Sequence, residues 1–105
     1  MKFQSNNCVA IHVKDLKKAE KFYTGVMGFA LLGKSGIQLE YQTGHFLLFI
    51  NKGSKTQSPI PSFNVKSVVE AKGLLKKNGC TILVDRGNSL YFKDPFGIVY
   101  DIIKG

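Results

Sequence analysis

The chain has 105 residues, 44% of them hydrophobic and 11% aromatic, enough for one compact domain with a real core and too apolar for disorder. Its formal charge is +8, yet Arg86 is the only arginine among 15 basic residues and the lysines are scattered, so a nucleic-acid partner is not expected. No run approaches the ~20 apolar residues of a membrane span and MKFQSNNC has no apolar core, so neither membrane nor export is expected and the cytoplasm is.

Residues 8–14, CVAIHVK, form a β-branched run that reads as a strand. Period two puts Val9, Ile11 and Val13 on one face and Cys8, Ala10 and His12 on the other. Asp15 then stands at an N-cap position, and Leu16, Ala19, Tyr23 and Val26 recur at helical spacing, with Phe22 and Met27 widening the apolar stripe. Gly28 ends that helix, because glycine enters a left-handed cap freely. Strands are expected at 29–32, 37–42 and 46–51, separated by turns at 33–36 and 43–44. The polar, proline-ended stretch 51–59 reads as the linker.

The second half repeats the plan. A strand over 60–66 leads into Ser67-Val-Val-Glu70, a capping-box pattern, and a helix with Val68, Ala71, Leu74 and Leu75 inward that ends at Gly79. Strands follow at 81–84, 90–92 and 98–103, the last after Asp94-Pro-Phe-Gly97, which fits a type I turn. Sliding Cys8 onto Ile60 carries His12 onto Asn64, Asp15 onto Ser67 and Ala19 onto Ala71. Two strand–helix–three-strand units of about fifty residues each are therefore expected.

The stretches IHVKDLKKAEKFYTGVMGF, FNVKSVVEAKGLLKKNGC and YFKDPFGIVYDI make the chain resemble the vicinal oxygen chelate superfamily of glyoxalases, bleomycin-resistance proteins and extradiol dioxygenases. The resemblance implies an α+β fold in which two βαβββ modules, 1–53 and 59–105, form an incomplete eight-stranded barrel around a cleft. It also implies frequent dimers, and a homodimer is expected. Metal-dependent members draw ligands from four positions, which fall here on Cys8, Ile60, Asp101 and either Phe49 by the repeat offset or Leu47 if the register slips. Phenylalanine and isoleucine have no lone pair to donate, so no metal and no cofactor is expected. Cys8 and His12 are four residues apart on one strand, ~13 Å, too far to share an ion.

The resemblance and strand parity together imply a cleft lined by Cys8, His12, Phe49, Ile60, Asn64 and Asp101, mostly apolar with a few polar groups, which suits a small organic ligand. Asp101 reads as a general base, an anchor for a ligand donor, or a residue paired within the fold. Tyr41, Tyr91 and Tyr100 read as ring platforms or as core. Two activities stay open. One is a metal-free protein that sequesters a small molecule. The other is a metal-dependent lyase, transferase or dioxygenase that borrows ligands from His45 or a neighbouring subunit.

Overall fold

A computed structural model describes residues 1–105. In chain order it runs β1 (Gln4–Val13), α1 (Leu16–Glu20), a π-helical segment (Lys21–Val26), β2 (Ala30–Lys34), β3 (Gln38–Gln42), β4 (Leu47–Lys52), β5 (Gln57–Val65), α2 (Val68–Lys77), β6 (Thr81–Asp85), β7 (Ser89–Lys93) and β8 (Val99–Lys104). Two compact units emerge, Asn7–Pro59 and Ile60–Gly105, the latter joined by Met1–Asn6. The α+β class and the βαβββ order read from the sequence are the ones observed. No helix is long and apolar enough to cross a membrane.

In the first unit the strand order is β2-β3-β4-β1, with β1 parallel to β4 and the other pairs antiparallel. Ala19, Leu39, Tyr41, Leu48 and Ile50 make its core, and Val9, Ile11 and Val13 pack on it as their parity requires. Asp15 caps α1 by accepting from the Lys18 N–H at 3.1 Å. The helix then departs from expectation. After Glu20 it widens into the π form, where Met27 N–H reaches back to the Phe22 carbonyl at 3.0 Å. This turn points Tyr23 into the core, near the rings of Phe29 and Tyr41. It also brings the Thr24 hydroxyl to within 2.8 Å of the Tyr41 hydroxyl, which satisfies a phenol on a fully buried ring. The wider winding shifts the stripe, so Phe22, Met27 and above all Val26, at 72% exposure, stand outside the core that α-helical spacing assigned them.

The second unit orders its strands β5-β8-β7-β6, again with first and last parallel. Val65, Val68, Ala71, Leu90, Phe92 and Ile102 form its core. Burying side chains of this size stabilises by about 1.5–3 kcal/mol each for the larger aliphatic ones. Ser67 caps α2 by accepting from Glu70 N–H at 3.2 Å. At the other end Cys80 N–H bonds the Leu75 carbonyl and Gly79 N–H the Lys76 carbonyl, with Gly79 at φ 90°. That is a Schellman stop, and it needs glycine. Leu75 packs inward as expected, but Leu74 is 41% exposed, so the buried stripe of α2 is narrower than its pattern. β5 also starts at Gln57, inside the stretch read as linker.

Candidate functional site

Chemistry gathers on the face of the second unit that α2 does not cover. Along β5, Phe63 and Val65 go to the core, which turns Ile60, Ser62 and Asn64 to the opposite face. On β8 the core takes Tyr100 and Ile102, leaving Asp101 on that same face. On β7 it takes Leu90 and Phe92, leaving Tyr91. The ladders then set Ser62 beside Asp101, and Tyr91 directly across from Asp101.

A directional hydrogen-bond chain links these groups. The Asn6 amide donates to Ser62 Oγ at 2.7 Å and to Asn64 Oδ1 at 3.2 Å. Ser62, only 6% exposed, donates its own O–H to Asp101 Oδ2 at 2.8 Å. One carboxylate oxygen is thereby held by Ser62. Burial pushes the Asp101 carboxyl above its ordinary range, while the Ser62 bond and the Arg86 charge pull it partway back. Tyr91 is pushed up as well, by burial first and by Asp101 second, against a downward pull from Arg86. The Arg86 guanidinium sits 5.0 Å from the centre of the Tyr91 ring.

The sequence-derived positions fall into two groups. Ile60, Asn64 and Asp101 share the face of the second unit that α2 does not cover, where Ile60 is fully buried. Cys8, His12 and Phe49 share the corresponding face of the first unit, where Cys8 stands beside Leu47, Ala10 beside Phe49 and His12 beside Asn51. Of the three tyrosines weighed as platforms, Tyr41 is core and Tyr100 packs against Phe63 and Phe92. Tyr91 alone belongs with Asp101.

Sequence reasoning missed Ser62, Asn6 and Arg86. Ser62 was legible, since it lies midway between Ile60 and Asn64 at period two. Arg86 carried a compositional signal as the lone arginine. Asn6 carried none, because its partners are 56 and 58 residues away.

The implied metal positions fail on donor chemistry. Phe49 and Ile60 offer hydrocarbon, and Ser62 already engages one oxygen of Asp101. His45 is exposed in the turn between β3 and β4. No three His, Cys, Asp or Glu side chains converge anywhere in the chain. A depression of about 660 Å3 opens beside Asn64, flanked by Gln4, Lys66 and Glu70. A second, of about 730 Å3, lies along the first helix against Lys17, Phe22 and Val26.

A family model described as Glyoxalase/Bleomycin resistance protein/Dioxygenase superfamily matches residues 6–102. Among solved structures, the anaerobic substrate complex of homoprotocatechuate 2,3-dioxygenase from Brevibacterium fuscum, with 3,4-dihydroxyphenylacetate, is similar at 22% identity and a TM-score of 0.73, covering 97% of this chain and 36% of that one. A hypothetical protein from Bacillus halodurans C-125 is similar at 16% identity and a TM-score of 0.73, covering 100% of this chain and 96% of that one. The chain thus spans about a third of the length of the dioxygenase chains it matches, 32% to 36%. At such identities the likeness establishes the fold. No curated protein matches the sequence.

Proposed function

Because this chain belongs to the Glyoxalase/Bleomycin resistance protein/Dioxygenase superfamily, we propose that it holds a small organic molecule, without a resident metal, against the face of its second unit that α2 does not cover. Asp101 is the polar anchor. The observation that carries the reading is a half-buried carboxylate with one oxygen gripped by Ser62, whose other oxygen would accept from a ligand's hydroxyl or N–H. A hydrogen bond to an ionised acceptor is about twice as strong as a neutral one, and partial burial strengthens it further. Asn6 and Ser62 hold the acceptor in place before the ligand arrives, so little ordering is left to be done on binding. A cytoplasmic homodimer with no nucleic-acid or membrane partner completes the proposal.

Sequestration requires binding alone, and the donor set supports it better than metal chemistry. The metal-dependent lyase, transferase or dioxygenase reading needs lone pairs that Phe49 and Ile60 do not have.

The test is a thermal-shift screen of small organic molecules, with 3,4-dihydroxyphenylacetate among them, followed by amide mapping of the hits by NMR. Hits are expected to move the signals of Ser62, Tyr91 and Asp101 and to lose their effect in Asp101→Asn. Hits that map elsewhere would overturn the site. A full equivalent of divalent metal in protein purified without chelator would overturn the metal-free reading.

A further inference from the structure

The chain's single arginine stands at the edge of this same face, and its placement is informative. Arg86 occupies the turn between β6 and β7, where its own N–H donates to the Ser89 carbonyl at 2.9 Å and Gly87 follows at φ 87°. The residue is exposed, and its guanidinium rests over Tyr91. Tyr91 in turn stands across the ladder from Asp101. Cation, ring and carboxylate therefore follow one another from the exposed edge inward.

Arg86 and Asp101 are close enough for the cation to stabilise the ionised acid. They nevertheless do not form an ion pair. The ion pairs of Lys34 with Glu20 and of Lys72 with Asp85 involve neither residue. A cation and an anion that share one face and do not close on each other leave complementary partners for a third molecule. A guanidinium carries five N–H donors, which a single phenol cannot use up. Its planar fork matches a carboxylate in a way that a lysine ammonium does not. All the other cationic side chains here are lysines, so the fork is specific to this place.

We infer that the ligand of this face is a small organic acid that also bears a hydroxyl or N–H donor. Arg86 takes the acid group at the exposed edge, and Asp101 takes the donor further in. This rests on the ligand-binding reading above and adds the ligand's chemical class. The charge of +8 acts in the same direction, since it raises the encounter rate of anions over cations.

Amide-detected NMR titration with 4-hydroxyphenylacetate, phenylacetate and 4-methylphenol at millimolar concentration tests the inference. These probes carry both groups, the acid alone and the hydroxyl alone. The first is expected to bind tightest. Arg86→Gln should weaken the two acids roughly tenfold, the scale of one charge-assisted pair, and weaken 4-methylphenol much less, through the lost support for the ionised Asp101 alone. Arg86→Lys should recover only part of that loss, because it restores charge without the fork. Asp101→Asn should weaken 4-methylphenol and 4-hydroxyphenylacetate and spare phenylacetate. Arg86 is exposed, and Asn matches Asp in shape, so both variants are expected to keep the wild-type far-UV spectrum. If 4-methylphenol binds at Asp101 but the acid group adds nothing and Arg86→Gln has no effect, the ligand class is wrong and the site survives. If none of the three probes moves the signals of this face, both the class and the site fall.

Discussion

The two units follow the same path and differ on one face. Ala10 pairs with Phe49 in the first and Ser62 with Asp101 in the second, the same rungs of the same parallel ladder. Ile50 and Ile102 occupy matching core positions, and each is fully buried. Even the ion pair that ties helix to edge strand recurs with its charges exchanged. Glu20 on α1 holds Lys34 on β2 at 3.0 Å, and Lys72 on α2 holds Asp85 on β6 at 2.7 Å. On the face that α2 does not cover, and on its counterpart, the likeness ends, with hydrocarbon at Ala10 and Phe49 against a hydrogen-bonded Ser62 and Asp101. The buried face dictates the register, since slipping one residue would turn the core side chains outward. The other face is then free to differ between the units, with Ser62 and Asp101 on one rung and Ala10 and Phe49 on its counterpart.

The equivalence of the cores is tested by Ile50→Ala and Ile102→Ala. Each should cost about 2–5 kcal/mol in urea unfolding, the range for emptying a fully buried aliphatic site. A large loss from only one of them would break the comparison. The difference between these two faces is tested next by Ser62→Ala, which leaves the Asn6 amide and the Asp101 oxygen without their shared partner. About 1–3 kcal/mol is expected, and a neutral result would mean the chain of hydrogen bonds contributes nothing.

The smallest effect is the pH dependence of Asp101→Asn. The fold holds the Asp101 carboxyl above its unfolded value, chiefly by burial, so the native state keeps a proton where the unfolded chain has lost it. Wild-type stability therefore falls as pH rises from the ordinary carboxylate range through the raised one. The asparagine variant lacks this slope. It should be at least as stable as wild type at neutral pH, and the two should converge in acid. Phe49, at the matching place in the first unit, has no such titration. Thermal melts across this window would contradict the assignment if the variant lost ground only above it.

Much of this was legible locally. The cap at Asp15, the Schellman stop at Gly79 and the alternation of β5 and β8 depend on neighbours a few residues away, and strand parity together with the family resemblance put Asn64 and Asp101 on one face. The Asp94 turn held for the same reason, with the Asp94 carboxylate accepting from the N–H groups of Phe96 and Ile98. The π turn was not legible, because the need it serves, a partner for the Tyr41 hydroxyl, comes from a strand 17 residues on. Phe22 and Val26 are exposed for that reason, though their spacing pointed inward.

The amino-acid order by itself determined the α+β class, the βαβββ order and the family, since caps and side-chain periodicity act over a few residues. Tertiary structure alone decided that Asp101 would meet Ser62 and Asn6, and that Arg86 would lie over Tyr91 without closing on the carboxylate. Those contacts join residues from distant strands through the sheet register, and a hydrogen bond between such residues leaves no periodic trace along the chain.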